Sequence, residues 1–492
     1  MKSLLALYIP LTLAFQHGRH EAIRISQRRA HREGLSSATI DVPPSEQAYS
    51  WPLGRFAFSL IPLAPGERRR TVEECVIRDQ IWTHDQIQGI VNVNVPVRQT
   101  VIALKGGGLW VHNPVAPTDE LLSMMRDLEA KYGPVKHVVL GTVALEHKAT
   151  AGPFSKCFPD AQVWLQPGQW SFPVSVPCFI YGFQGSLRTI PYEDKTGRMP
   201  KSGRELPPPP WSDEIDHHVL GPLKFKSVGY FSETAFFHKA SKTLLVTDTI
   251  IKVDEEPPAI IQEDPRALVF HARDDIGEEL VDSVAVRRKG WRRMVQFGLI
   301  FFPSCIEVVG FGEALRDALT QVPESMRTLG TGAVPLNLYP WRWAKDDKGS
   351  FEALLGGGTQ SDGRKSALLV APILQKIILN REPEVTLDWV DKVCEWPFKR
   401  IIPCHLSNDL RANPESFRQA FTFLETQVRT SASAKEADLA LLTTASDLLT
   451  KAGVIAPQAP LVTPRKLPKK VFSLRPSFIA QAGEGNWFSW FT

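Results

Sequence analysis

The chain alternates short apolar runs with polar, proline-punctuated segments, and the period of the apolar positions changes along it. From Cys75 onward strand-like runs recur at Gln80–Trp82, Gly89–Val95, Thr100–Leu104 and Leu109–His112, with Gly106-Gly107-Gly108 as a hairpin signal between the last two. No helix start or Lys-Ser/Thr follows those glycines, so they are not a phosphate loop. The period then switches: Leu121, Leu122, Met125 and Leu128 follow Thr118 at helical spacing through Glu129, and Gly133-Pro134 closes that helix. Lys136–Leu140 follows as a strand buried on both faces, broken at Gly141. Its mouth is expected to be a loop carrying Glu146-His147 and then Lys148-Ala149-Thr150-Ala151-Gly152.

Further strands are expected at Gln162–Leu165, Lys224–Phe231, Thr234–His238 and Thr243–Val246, the last ending in Thr247-Asp248-Thr249. Residues 194–212 read as an exposed Pro-rich insertion, and residues 250–360 as a second, irregular one. Within the latter, the basic cluster Arg287 to Arg293 precedes an apolar run from Met294 to Gly312. Burial of that run in the core is the favoured reading, with peripheral membrane contact through 287–312 as the alternative. A Gly-rich loop (Leu354–Gly363), apolar helices over 366–380 and Leu387–Cys394, and a short strand ending in Pro403-Cys404-His405 follow. Residues 434–452 are helical by pattern, Ser433 and Glu436 having capping-box spacing. A Pro- and Lys-rich tail from Pro457 ends in Trp487-Phe488-Ser489-Trp490-Phe491.

The N-terminus follows a different logic. Met1-Lys2-Ser3 and the apolar Leu4–Ala14 have signal-peptide proportions, and Gln16–Ile40 carries five arginines against two acids. A signal-like segment, Phe15 at the junction and an Arg-rich extension are similar to the bipartite leaders of algal complex plastids, which makes a plastid the expected location and the secretory pathway the alternative. The expected organisation is a leader over 1–42, an extended lead-in over 43–70, one domain over 71–430 with the two insertions, and a helix and tail over 431–492.

Composition narrows the function classes. At 43% hydrophobic and 22% charged residues the chain is an ordinary globular protein, with no transmembrane helix expected in the mature chain. A formal charge of +4, without a basic stripe interleaved with aromatics, argues against nucleic-acid binding. The six cysteines are scattered with no CxxC pair, which excludes a zinc ribbon and a dense disulfide framework.

Three strand mouths thus carry chemical groups: Glu146-His147, Asp248 and His405. In this order the elements resemble the metallo-β-lactamase fold. The stretch Gln80–Trp170 resembles, more specifically, the plastid and cyanobacterial family labelled domain of unknown function 4336. The residues carrying that match include Gln80-Ile81-Trp82-Thr83, Val91 to Arg98, Gly107 to Val111, Asn113-Pro114-Val115-Ala116-Pro117-Thr118 and Leu145-Glu146-His147-Lys148. Phe236-Phe237-His238, Leu244–Asp248 and Arg400–His405 extend it. The resemblance implies an α/β fold, a metallo-β-lactamase-like αββα sandwich of two mixed sheets flanked by helices.

It also implies a site. The metallo-β-lactamase pattern is His-x-His-x-Asp-His, a later lone His, a bridging Asp and a final His, binding two metals. Laid on this chain, Glu146 and His147 take the last two motif places, Asp248 the bridging place and His405 the final one. Thr142 and Ala144 stand where the first two histidines would be, and no His falls near Gly229–Phe231. The ligands private to the first metal are gone, while Glu146, His147, Asp248 and His405 remain for one Zn²⁺, Fe²⁺ or Mn²⁺, or for none. Two functions follow: a metal-dependent hydrolase of a small-molecule ester, thioester or lactone, or a non-catalytic binding or assembly module that kept the fold. The sequence assigns no catalytic residue beyond the metal set. His217-His218 beside the first insertion could supply a replacement ligand but reads as an exposed pair. His238 reads as a half-buried sheet residue, Cys404 as a buried structural thiol, and Trp164 and Trp170 as packing.

Overall fold

The computed structural model describes residues 70–465, except 91–92, 170–177, 184–186, 193–206, 227–228, 301–302, 330–337, 346, 356–367 and 427–435. The leader, the lead-in up to residue 69, Trp170, most of the 194–212 insertion, the Gly-rich loop beyond Leu355, Ser433 and the aromatic tip lie outside the described residues.

Seven strands form the first sheet in chain order: β1 (Val72–Ile77), β2 (Ile81–Ile90), β3 (Val93–Ala103), β4 (Leu109–His112), β5 (Val135–Leu140), β6 (Gln162–Leu165) and β7 (Leu187–Thr189). The first four pair antiparallel and the rest parallel. The three short runs expected between residues 80 and 104 are instead the two long strands β2 and β3, paired from Ile81↔Ile102 to Ile90↔Val93. Their middles hold Thr83, His84, Gln86, Gln88, Arg98, Gln99 and Thr100, polar yet buried, so hydrophobic patterning breaks where the strands do not.

The second sheet has five strands in the order β14 (Leu410–Arg411), β13 (Arg400–Ile402), β10 (Thr243–Leu245), β9 (Gly229–His238) and β8 (Ile215–Phe225). Here the expected strand Lys224–Phe231 is divided: it contains the end of β8 and the start of β9, joined as a hairpin.

Helix α1 (Asp119–Tyr132) starts where Thr118 accepts a hydrogen bond from the Leu121 N–H and ends at Gly133, whose φ of 95° suits glycine. With α2 (Leu145–Cys157) it covers the outer face of the first sheet, Leu121, Met125, Leu145 and Phe154 packing on Val111, Val138 and Leu140. The inner faces meet through Ile102, Trp110 and Val139 against Ile215, Phe236, Leu245 and Ile402. Helices α7 (Pro383–Val393) and α8 (Pro414–Gln419) cover the far face, with Leu387, Val390 and Phe417 on Leu244 and Ile401. The layers are therefore αββα.

The second insertion is structured. It contains α3 (Arg266–Ala272), α4 (Val284–Ile300), α5 (Phe311–Thr320), α6 (Lys348–Leu355) and the ribbon β11 (Ile306–Val308) with β12 (Trp341–Trp343). The basic cluster lies inside α4, not ahead of an apolar segment. Each of its charges meets a carboxylate: Arg287 Asp282, Arg288 Glu256, Lys289 Asp274, Arg292 Asp347, and Arg293 both Asp274 and Asp347. Of the run itself, Met294, Val295, Phe297 and Ile300 are buried, the environment favoured for it, whereas Val308 and Phe311 are exposed. Among the described residues no helix is long and apolar enough to cross a membrane.

The expected helix over 366–380 starts later and is irregular: residues 372–381 are helical throughout, with a π stretch at Leu374–Ile378 and a 3₁₀ turn at Leu379–Arg381. The C-terminal helix α9 (Ala440–Lys451) starts later than its pattern suggested. The chain beyond Pro457 stays on the domain as far as Arg465, which pairs with Asp388 and Asp391.

Candidate metal centre

The register of two strands brings together two of the four residues. β10 and β13 run parallel with Leu245 opposite Ile402, and Asp248 and His405 each lie three residues beyond that pair. The parallel track persists past the strands, since the Val246 N–H donates to Ile402 O and the Cys404 N–H to Thr247 O. His405 Nε2 stands 2.9 Å from Asp248 Oδ1.

The other two come from β5, across the sheets. Gly141 to Val143 bonds to the second sheet, the Thr234 N–H donating to Gly141 O and the Val143 N–H to Ser232 O. Contrary to the expected loop, Glu146 and His147 then lie in the first turn of α2, which the Lys148 N–H closes on Ala144 O. The helix runs on through Gly152-Pro153 to Cys157. His147 Nε2 lies 3.1 Å from His405 Nε2 and 3.9 Å from Asp248 Oδ1. With Glu146, one ligand atom from each of the four residues lies within 4.8 Å of every other.

The donor set fits a single ion. Tetrahedral bonds of about 2.0–2.1 Å put two ligand nitrogens roughly 3.3 Å apart, close to the spacing of the two imidazoles. The ring of His405 is oriented from behind, its Nδ1 standing 2.9 Å from Pro96 O. An Nδ1–H donated to that carbonyl leaves Nε2 to face the cluster. Two imidazole nitrogens and a carboxylate oxygen then converge, an arrangement that needs a cation between them, either a proton or a metal. Burial alone would raise Asp248, but hydrogen bonds from His147 and His405 hold it below the usual carboxylate range. Burial likewise works against a charged His405, but its hydrogen bond to Asp248 and that residue's charge raise it overall.

A buried frame holds these arms. Arg98 donates to Asp85 and to the carbonyls of Pro403 and Leu406, bracketing His405. Asn113 donates to Thr247 Oγ1 and Cys404 Sγ and accepts from the Gly141 N–H, joining three strand mouths. The Glu233 carboxylate accepts from the N–H groups of Thr247, Asp248 and Thr249 and from the Thr249 hydroxyl. Burial, reinforced by the Asp248 charge, pushes Glu233 up to about 7 against the pull of those donors.

The remaining candidates lie elsewhere. His217 Nε2 is 2.7 Å from Pro191 O, and His218 stacks on Trp396, so neither joins the cluster. His238 is buried beside Ser241. Cys404 is a buried thiol that desolvation pushes up, and Trp164 packs between the sheets. Thr142 accepts from the Ala144 N–H, so the two residues at the missing histidine places bond to each other. Sequence reasoning missed Glu233, Arg98 and Asn113. Their only signal was polar character inside strands or at a strand end, which does not name a partner.

The family model described as Domain of unknown function (DUF4336) matches residues 78–423. No curated protein matches the sequence. Among solved structures, the metal-soaked Flv1 flavodiiron core from Synechocystis sp. PCC6803 aligns at TM-score 0.33 and 9% identity, covering 73% of this chain and 61% of that one. A flavoprotein from Thermotoga maritima aligns at TM-score 0.35 and 8% identity, covering 72% and 61%. A metallo-beta-lactamase from Pontibacter korlensis aligns at TM-score 0.24 and 13% identity, covering 37% and 73%. The chain thus spans about three fifths of the length of the first two. The fold description rests on the strand order and layers given above.

Proposed function

We propose that this chain, which belongs to the DUF4336 family, holds one divalent ion on Glu146, His147, Asp248 and His405 and hydrolyses an ester, thioester or lactone. The observation that carries this reading is the convergence of His147 Nε2, His405 Nε2 and Asp248 Oδ1 within 3.9 Å, at a mouth where Asp248 and His405 keep 15% and 14% exposure. A sealed structural site would shield all of its ligands; here Asp248 and His405 keep partial contact with solvent while His147 is buried.

When bound, Zn²⁺, Fe²⁺ or Mn²⁺ would polarise a carbonyl and lower the pKa of a water. The chain's own part is orientation and proton handling. Pro96 O fixes the His405 tautomer, and Asp248 supplies a permanent negative charge. Glu146 reaches the cluster on a longer arm than an aspartate would; a carboxylate oxygen not taken up by the ion would receive the proton of an attacking water and return it to the leaving alkoxide or thiolate.

A second reading, a non-catalytic module, is favoured by one feature. The backbone pairing of 141–143 with 232–234 closes the strand on which two-metal enzymes carry their first histidines. Metal analysis and turnover separate the two. The purified protein should carry one metal per chain, and His147→Ala and Asp248→Ala should lose it. A folded wild type that takes up no zinc, iron or manganese ends the metal reading. Stoichiometric metal with no hydrolysis across aryl ester, thioester and lactone panels ends the hydrolase reading and leaves the module.

A further inference from the structure

We infer that Glu233 is the positioning residue of this centre, joining its two halves by clamping the loop that carries Asp248 to the strand that leads to Glu146-His147. The inference rests on the metal reading above for its effect on affinity, but not for the clamp itself.

The side chain makes one half of the clamp. Glu233 is fully buried on β9, and both its oxygens are filled by a single tripeptide. Oε1 accepts from the Thr247 N–H at 2.8 Å and the Thr249 hydroxyl at 2.7 Å, and Oε2 from the Asp248 and Thr249 N–H groups at 2.9 and 3.1 Å. Three consecutive backbone N–H groups turned toward one carboxylate fix the path of residues 247–249, and hence the direction in which Asp248 leaves the backbone. An apolar residue on β9 would leave the N–H groups of residues 247–249 buried without this acceptor, so the carboxylate is what holds the tripeptide on its path.

The backbone makes the other half. Glu233 pairs with Thr142 in an isolated bridge between the sheets, flanked by the bonds from the Thr234 N–H to Gly141 O and from the Val143 N–H to Ser232 O. Thr142 lies four residues before Glu146. One residue therefore sets both the approach of α2 and the approach of Asp248, and the 3.9 Å from His147 Nε2 to Asp248 Oδ1 depends on it.

Glu233→Gln tests this with almost no change in volume. Its amide nitrogen cannot accept, so two of the four donors lose their partner. In chelator-treated protein, amide hydrogen exchange over 247–249 should quicken at least tenfold relative to wild type, with the α1 and α7 amides unchanged. In metal-loaded protein, competition with a chromophoric chelator should show a Kd raised about 10- to 100-fold, as for other groups that orient ligands from behind. Thr249→Val, which removes only the hydroxyl bond, should move both readouts the same way by less.

Unchanged exchange at 247–249 in Glu233→Gln overturns the clamp. Quickened exchange with an unchanged metal Kd overturns the positioning role and leaves Glu233 a structural residue. If the wild type binds no metal, the metal reading fails by itself, and the exchange experiment still decides the clamp.

Discussion

Arg98 shows how single residues govern this centre from a distance. Its guanidinium is 1% exposed on β3 and spans Asp85 Oδ2 at 2.6 Å, Pro403 O at 2.8 Å and Leu406 O at 2.9 Å. Its planar fork can serve three acceptors in fixed directions, which a lysine cannot. Arg98→Met removes the fork and strands the Asp85 carboxylate against the sheet. The expected cost is about 3–5 kcal/mol of unfolding free energy, the range for breaking a buried pair on one side. The double variant Arg98→Met/Asp85→Leu should recover part of it, while metal affinity stays low because the carbonyls around His405 remain unbraced. Urea denaturation of the three variants checks the first claim and chelator competition the second.

These residue-scale effects also explain what was legible in advance. Asp248 and His405 announced themselves because each ends a short apolar strand, where side chains leave the core. Arg98 did not, because its carbonyl partners lie 305 and 308 residues away along the chain, and any polar residue within a strand looks the same.

At the scale of elements, helix α4 is the largest departure from the pattern of the chain. Read linearly, five basic residues form a solvated start to an apolar run that enters the core. Folded, the charges and the apolar positions share one helix, the charges spent on acids from its own insertion and the apolar face turned to α3 and β3. What permits the close approach is Gly290. A Cβ there would lie 1.8 Å from Leu268 O on α3, a separation no relaxation of side chains can relieve. Eight residues on, a Cβ at Gly298 would find Val93 at 3.6 Å, an ordinary contact. Gly290→Ala should therefore force α3 and α4 apart and destabilise by about 1–3 kcal/mol or more. Gly298→Ala should be neutral or stabilising by up to roughly 1 kcal/mol through helix propensity. Thermal melts of the two variants give opposite signs if the packing is as described. The same logic accounts for β2 and β3, whose buried polar side chains find partners across the sheet and on the neighbouring segments, so their length was hidden from hydrophobic patterning. Gln99, for instance, meets both His84 Nδ1 and the Val115 N–H.

At the scale of the whole molecule, burying two sheets face to face leaves several histidines in the interior, and this sets how the fold responds to acid. His112 has neither ring nitrogen bonded and packs against Trp110 and Phe236, burial pulling it down to about 3. Burial similarly pulls His137 and His238 down to about 4. In the unfolded chain each protonates near the ordinary histidine value of about 6.5, so between that pH and about 4 the unfolded state binds up to three protons that the folded state refuses. Their stabilising contribution is complete above pH 6.5 and is lost as the pH falls. Glu233 works in the opposite sense. Pushed up to about 7, it takes a proton in the folded state at pH values where the unfolded carboxylate does not, which offsets one of the three. From these four groups alone, a net two protons gives a loss of up to about 2.7 kcal/mol per pH unit in the steepest part of the window, with His217, lowered by burial, adding to it and Asp85, raised by burial, offsetting it. Urea midpoints of chelator-treated protein should accordingly fall steadily from pH 7 to pH 4.5. His112→Leu removes a titrating ring without removing a hydrogen bond, so it should flatten that slope by about one proton, whereas Glu233→Gln should steepen it. A slope that neither variant changes would mean that these buried groups do not set the acid limit of the fold.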